Sequence, residues 1–458
     1  MTGATRRVPR SFLGISTEYW TVPVWARHLS LLDRVFSALT ADGPMVLRIG
    51  GSSADQTFWA PIKELPEWVF EVTPAWLKDL HRIVNRSGVR VILDLNLVTS
   101  SPKIAVRWAR AAEAFLPTES IVGFEIGNEG DIYSPVSWRK TTQGVGTVLP
   151  ARLTATSYAR SFAIYAKALA RVDRGVPLFG PALSDPIGHL DWISRLLTRP
   201  HPGLRAVTVH RYPLSACSHP GQKTFPTIAR VLSENSTAGM ARGIRGAVRS
   251  ARRAGLPVRL TEINSVTCGG RRGVSNTFAT SLWAPDALFE LLKVGAISAA
   301  VHVRANAINM AFSLTRRGLI AHPLLYGLII FSRTLGPHPQ LVPLHLWADP
   351  SLRLKVWAVR SSPTTVHILL INKGRRTGRV SLHVAGAGPV SAQQMLAPSA
   401  RAESGVTLDG QRLDARGHWV GRPTAASIPL NAGAYTVTVR QQSATLVTVP
   451  VSRGPLRP

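Results

Sequence analysis

The stretch Ile121-Val122-Gly123-Phe124-Glu125-Ile126-Gly127-Asn128-Glu129 decides how the chain is read. An apolar run of strand length ends in an amide and a carboxylate, and Gly130-Asp131 open a loop behind it. Val258-Arg259-Leu260-Thr261-Glu262 repeats the form and again ends in a carboxylate. Outward from these two, six further short apolar or β-branched runs appear: Phe12–Ser16, Met45–Gly50, Arg90–Leu95, Pro177–Gly180, Ala206–His210 and Ala299–Val303. Helix-like segments lie between them, among them Trp25–Leu39, Pro74–Ser87, Tyr158–Asp173 and Pro285–Val294. Eight strands alternating with helices predict an α/β chain with a (β/α)8 TIM barrel over residues 1–335. The competing doubly wound sheet would carry a Gly-rich turn after its first strand, where Gly14 stands alone.

From about Gly336 the texture changes. Pro, Gly and Ser punctuate the alternating runs Arg353–Val359, Thr365–Ile371, Arg379–Val384, Ala434–Val439 and Ala444–Val449, which predicts a C-terminal antiparallel β-sandwich domain over 336–458. This part has no cluster of Asp, Glu or His, so the chemistry is expected in the barrel.

With 458 residues, 45% hydrophobic and 17% charged, the chain is neither disordered nor fibrous. Its 54 Lys and Arg against 25 Asp and Glu give a net charge of +29, a field that favours anionic partners. The same charge also fits an Arg-biased composition spread over a solvated surface. The longest apolar run, Leu324–Phe331, falls well short of the roughly 20 residues of a membrane span, so a soluble protein is expected. Met1–Arg10 is basic but lacks an apolar core, so no signal peptide is expected from this start. A signal upstream of Met1 would imply secretion; without one the expected location is the cytoplasm. The basic stretch Ala238–Gly255 is read as an exposed barrel helix with a loop, not as a nucleic-acid arm.

In a TIM barrel the active site lies at the C-terminal ends of the strands. Strands four and seven face each other across that mouth and end in Glu129 and Glu262. A retaining glycosidase needs two carboxylates about 5 to 5.5 Å apart, in environments different enough for one to keep its proton. Either glutamate alone would more simply serve as an ion-pair partner; the opposed pair points to catalysis. Glu125 falls on the same side as Glu129 but deeper, which assigns it a structural role.

Three segments then carry a resemblance: Leu47-Arg48-Ile49-Gly50-Gly51-Ser52-Ser53-Ala54-Asp55, Phe124–Glu129, and Thr261-Glu262 followed by Cys268-Gly269-Gly270 and Gly273–Phe278. In this order they resemble glycoside hydrolase family 79, which groups β-glucuronidases and heparanase-like enzymes. That family pairs a barrel with a β-sandwich, so the resemblance spans nearly the whole chain. It implies that Glu129 is the general acid/base, Glu262 the nucleophile, and Asn128 the ligand of a sugar 2-hydroxyl. The family motif often continues Asn-Glu-Pro, whereas Gly130 follows here.

Further candidates surround the same mouth. His210 and Tyr212 close the sixth run, as sugar ligand and orienter of the nucleophile or as a packed core pair. Arg48 is positioned to keep Glu262 ionised or to form a structural ion pair. Gly50 and Gly51 let the backbone approach a ligand and expose amides, Gly51 and Ser52 of this turn are candidate substrate contacts, and Asp55 and Glu18 are candidate ligands of sugar hydroxyls. The loop Thr267–Ser275 offers backbone amides and two arginines to a uronate carboxylate. The resemblance places uronate recognition in this loop, and the amides around Gly269 and Gly270 are preferred over Arg271 and Arg272. Cys217 and Cys268 follow adjacent strands, as a bridge across the mouth or as two thiols. The histidines show no metal-ligand spacing, so neither metal nor cofactor is expected. These readings converge on a retaining glycoside hydrolase acting on a β-linked uronic acid, with an acidic glycan or glucuronide as partner and no nucleic acid. A neutral-sugar β-glycosidase and a non-catalytic glycan- or nucleic-acid-binding protein are the alternatives.

Overall fold

Eight parallel strands close into a barrel in strict chain order: β1 (Leu13–Glu18), β2 (Val46–Gly50), β3 (Arg90–Leu95), β4 (Ile121–Ile126), β5 (Leu178–Leu183), β6 (Leu204–Arg211), β7 (Val258–Ile263) and β8 (Ala296–His302). The computed structural model describes residues 5–59, 69–97, 101–133, 153–171, 175–199, 201–346, 352–384 and 388–452. Each strand anticipated from the sequence is present, with ends shifted by up to three residues. The strands are buried along almost their whole length, which explains why they read as continuous apolar runs.

The helices start and stop for local reasons. In Pro74–Ser87 the Thr73 side chain accepts from Trp76 N, Pro74 fits the first turn, and Gly88 ends it in the left-handed conformation. Trp25–Leu39, expected as one helix, is two: Thr21–Ala26 and Leu29–Leu39, broken at His28, whose φ and ψ are −130° and 39°. Conversely, the helix expected to begin at Pro285 begins at Phe278 and runs through the proline. Residues Phe278–Leu292 are all buried, so tertiary packing outweighs the roughly 3 kcal/mol that an interior proline costs.

The C-terminal part is an antiparallel sandwich. Its larger sheet runs Arg6–Arg7, Gln340–Val342, β9 (Leu354–Ser362), β10 (Thr365–Asn372), β14 (Ser443–Pro450), β12 (Val390–Leu396) and Thr407–Leu408, with Ala426–Ile428 also on β12. The chain's N-terminal strand therefore forms one edge of the C-terminal sheet. Facing it is the pair β11 (Gly378–Leu382) and β13 (Tyr435–Val439). Strand alternation divides β10 between two cores: Ile368 and Leu370 meet Val437 and Val439 inside the sandwich, whereas Leu369 and Ile371 turn toward the barrel helices. Each such side chain contributes about 1.5–3 kcal/mol when fully buried.

The second interface also holds charge. Lys373 Nζ donates to Asp286 Oδ2 at 2.5 Å, Trp357 Nε1 donates to Asp286 Oδ1 at 3.1 Å, and Lys355 reaches Glu290 at 2.8 Å. Burial pushes the Asp286 carboxyl up, but Lys373 and Lys355 outweigh it and hold the group below its ordinary range. Asp286→Ala would leave Lys373 charged, buried and short of its acceptor, and is expected to lower the unfolding free energy by about 3–5 kcal/mol in urea titration. A loss below about 1 kcal/mol would show that the contact contributes little.

Candidate active site

Arg48, on β2, organises the mouth. Its guanidinium is fully buried and donates from Nε to Glu125 Oε2 at 2.8 Å, from Nη1 to Glu262 Oε2 at 3.0 Å, and from Nη2 to Asp94 Oδ2 at 2.8 Å and Asn128 Oδ1 at 2.9 Å. Residues from β3, β4 and β7 and the start of the β4 loop thus converge on one cation. Gly50 makes room for it, since a Cβ there would fall 2.6 Å from the Arg48 Cζ and 2.7 Å from the Asp94 Cβ. Glu125 is fixed from its other oxygen by Thr261 Oγ1 at 2.7 Å.

Glu262 receives three partners. Tyr212 OH donates to Oε1 at 2.6 Å, Arg48 bonds Oε2, and His302 Nδ1 lies 3.6 Å from Oε2. Burial alone would push this carboxyl up; the charges of His302, His210 and Arg48 and the Tyr212 hydrogen bond outweigh it and hold it at about 2. Thr261 and Glu262 are consecutive, yet both address the barrel interior. The register of β7 against β6 shifts between Leu260 and Glu262, and such irregularities re-aim side chains.

Glu129 is held differently. It sits beyond β4 with φ 49° and ψ 41°, a left-handed conformation uncommon for a residue with a side chain. Its N–H is bonded to Ala182 O at 2.9 Å, which fixes it against β5. Its Oε1 lies 2.9 Å from His210 Nδ1, and its side chain keeps 20% exposure. Burial pushes the Glu129 carboxyl above its ordinary range; His210 opposes the shift, while Glu262 and Asp131 reinforce it. His210 is also raised, because Glu262 and Glu129 outweigh the burial that would lower it. Asp131 accepts from Ser184 N, Ser184 Oγ and Asp185 N at 2.9–3.0 Å, tying the β4 loop to the end of β5.

Glu129, His210 and Glu262 each present one ligand atom, and the three atoms lie within 4.8 Å of one another. A divalent ion would accept such a set, but Arg48 and Tyr212 already engage the Glu262 oxygens, and the guanidinium would repel a dication. The arrangement suits a pair of carboxyl groups in opposite protonation states.

The other sequence candidates divide. Glu18 is buried, accepts from Ser53 N at 2.9 Å, and lies 3.6 Å from His302 Nε2. Gly51 has φ +76°, and a Cβ there would be 2.6 Å from Glu18 Oε1, so glycine permits the approach. Ser52 is exposed on the rim, and its neighbour Ser53 makes the structural bonds. Asp55 is buried, with its carboxyl pushed well up by burial. Cys217 and Cys268 form a disulfide with Cα atoms 5.9 Å apart, stapling the β6 and β7 loops. In the Thr267–Ser275 loop, five of the amides expected to face a ligand, that of Gly270 among them, are internally bonded. Gly270 N donates to Thr267 O, Arg271 N to Ser275 Oγ, Gly273 N to Asn276 Oδ1, and Val274 N and Ser275 N to Arg271 O. Arg271 is itself held by Pro226 O at 3.0 Å and by the Phe225 ring.

Asp94 and His302 were not singled out from the sequence, although both end predicted strands and the same strand-end rule reaches them. Ser16 and Asn264 were also missed; Asn264 Nδ2 donates to His302 O and Asn309 O, fixing the β8 loop.

No protein-family model matches the chain, and no curated protein sequence matches it. Solved structures do. The chain shares its fold with several glycosidases. It is similar over 97% of its length to 97% of a 4-O-α-L-rhamnosyl-β-D-glucuronidase from Fusarium oxysporum 12S, with TM-score 0.78 and 18% identity. An α-L-arabinofuranosidase from Thermotoga maritima gives TM-score 0.67 at 16% identity, covering 97% of this chain and 98% of that one. A family 30 subfamily 8 xylanase from Clostridium acetobutylicum gives 0.57 at 13%, covering 98% of each chain.

Removing one support of Glu262 tests the charge assignment. In Tyr212→Phe the carboxyl loses a hydrogen bond to its charged form, so a 13C carboxyl titration is expected to move its midpoint upward from about 2. An unchanged midpoint would remove Tyr212 from the network.

Proposed function

We propose that the protein is a retaining glycoside hydrolase that cleaves β-linked uronic acids, glucuronides foremost. The observation that carries the reading is the Glu129–Glu262 pair: oxygens within 4.8 Å, one carboxyl pushed up and the other held at about 2. That closeness favours the short carboxyl separation of a retaining mechanism, about 5–5.5 Å, over the roughly 6.5–9.5 Å of an inverting one. The uronate preference is supported by the net charge of +29, by the family 79 resemblance, and by the fold shared with the Fusarium glucuronidase.

Each residue has a definite task. Protonated Glu129 gives its proton to the glycosidic oxygen as the Glu262 carboxylate attacks the anomeric carbon, forming a glycosyl ester and releasing the aglycone. The Glu129 carboxylate then takes a proton from water, whose oxygen displaces Glu262 and releases the sugar with its configuration retained. Arg48 holds Asn128 by its Oδ1, which leaves the amide NH2 to donate to the sugar 2-hydroxyl. Tyr212 and Arg48 fix the nucleophile, and His210 tunes the acid/base. No step calls on a cofactor.

The test is initial rates on p-nitrophenyl β-D-glucuronide and β-D-glucoside. Glu129→Ala is expected to lose roughly 10²- to 10⁴-fold. Glu262→Ala should lose more, and azide should rescue both, giving the α-azide from Glu262→Ala and the β-azide from Glu129→Ala. Unchanged rates in both variants would overturn the site. Preference for the glucoside would favour a neutral β-glycoside as substrate, and absence of hydrolysis with glycan or duplex binding would favour a binding protein. The alkaline limb of kcat/KM should follow Glu129, which must be protonated, so activity falls as pH rises through its raised pKa. Glu129→Gln should flatten that limb with an activated aryl leaving group.

A further inference from the structure

We infer that Arg304, in the loop after β8, is the residue that receives the substrate's carboxylate and so sets the preference for a uronic acid over a neutral sugar. This rests on the uronate reading above and names the side chain responsible for it. Arg304 stands two residues beyond His302, the last residue of β8, and His302 lies 3.6 Å from both Glu262 and Glu18. The two are close enough for the Arg304 charge to help lower the His302 imidazole, after burial and Arg48. Arg304 is half-buried, and among the described residues its guanidinium has neither a carboxylate nor a hydrogen-bond partner.

Its position is set by the β7 loop. A Cβ on Gly269 would lie 3.3 Å from Arg304 Nη2, so the guanidinium rests against that glycine, and Ile308 N donates to Gly269 O at 2.8 Å to hold the two loops together. The Cys217–Cys268 disulfide anchors the glycine's other neighbour. The loop amides of Gly270, Arg271, Gly273, Val274 and Ser275 are internally bonded, and Arg271 is held by Pro226. Of the cations described at this rim, Arg271 is held and Arg272 is exposed, which leaves Arg304 as the half-buried one without a carboxylate. A planar guanidinium matches a carboxylate with two parallel N–H···O bonds, and hydrogen bonds between charged groups are stronger than those between neutral ones. The carboxylates of the mouth are already assigned: Glu262 to Arg48 and Tyr212, Glu129 to His210, and Glu18 to Ser53.

The experiment compares kcat/KM for p-nitrophenyl β-D-glucuronide and β-D-glucoside in the wild type, Arg304→Ala and Arg304→Lys. The glucuronide-to-glucoside ratio is expected to fall roughly 10- to 100-fold in Arg304→Ala, mostly through KM, with Arg304→Lys between. Millimolar guanidinium ion should restore glucuronide cleavage to Arg304→Ala and leave its glucoside rate behind. Equal losses on both substrates, or an unchanged ratio, would overturn the role of Arg304 while glucuronide cleavage by the wild type still stands. A wild type that does not cleave the glucuronide would overturn the uronate reading and this inference with it.

Discussion

One buried guanidinium facing three carboxylates is the constraint on which the site depends. Arg48 contacts Asp94, Glu125 and Glu262 at 2.8–3.0 Å in a place where it is fully buried. Charges there are costly unless paired and hydrogen-bonded, and one cation cannot neutralise three anions. The cluster resolves this by distributing protons unequally. Burial pushes Asp94 well above its ordinary range despite Arg48, whereas Glu262, with Tyr212 and two histidines around it, stays ionised.

That inequality gives the mouth its chemistry. Glu262 is held ionised and fixed through both oxygens, the state that the proposed nucleophile needs in order to attack without first shedding a proton. Across from it, Glu129 lacks the guanidinium, keeps contact with solvent and is pushed the other way. Two side chains of one type are thus pushed in opposite directions by their surroundings. The backbone supports the division: a register shift turns Glu262 inward beside Thr261, and a left-handed residue turns Glu129 out of β4.

Much of this was legible in the sequence, and the remainder has physical reasons for its silence. Strands buried on both faces write themselves as apolar runs, so the barrel could be counted, and carboxylates ending two opposed runs marked the pair that the structure brings together. Sequence alternation could not show Thr261 and Glu262 facing the same interior, because a register shift leaves no signature in composition. Pro285 looked like a helix start because its local cost is visible and the surrounding burial is not. The Thr267–Ser275 loop looked like a row of open amides. Side chains from Ser275 and Asn276 satisfy some of them, and turn carbonyls satisfy others.

The central claim is that Glu262 forms a covalent bond to the sugar. Incubation with 2-deoxy-2-fluoro-β-D-glucuronyl fluoride, whose fluorine slows breakdown of the intermediate, tests it directly by peptide mass spectrometry. The account predicts one equivalent of label, as an ester on Glu262. Label on Glu129 or any other residue, or turnover of the reagent with no adduct at Glu262, would contradict it.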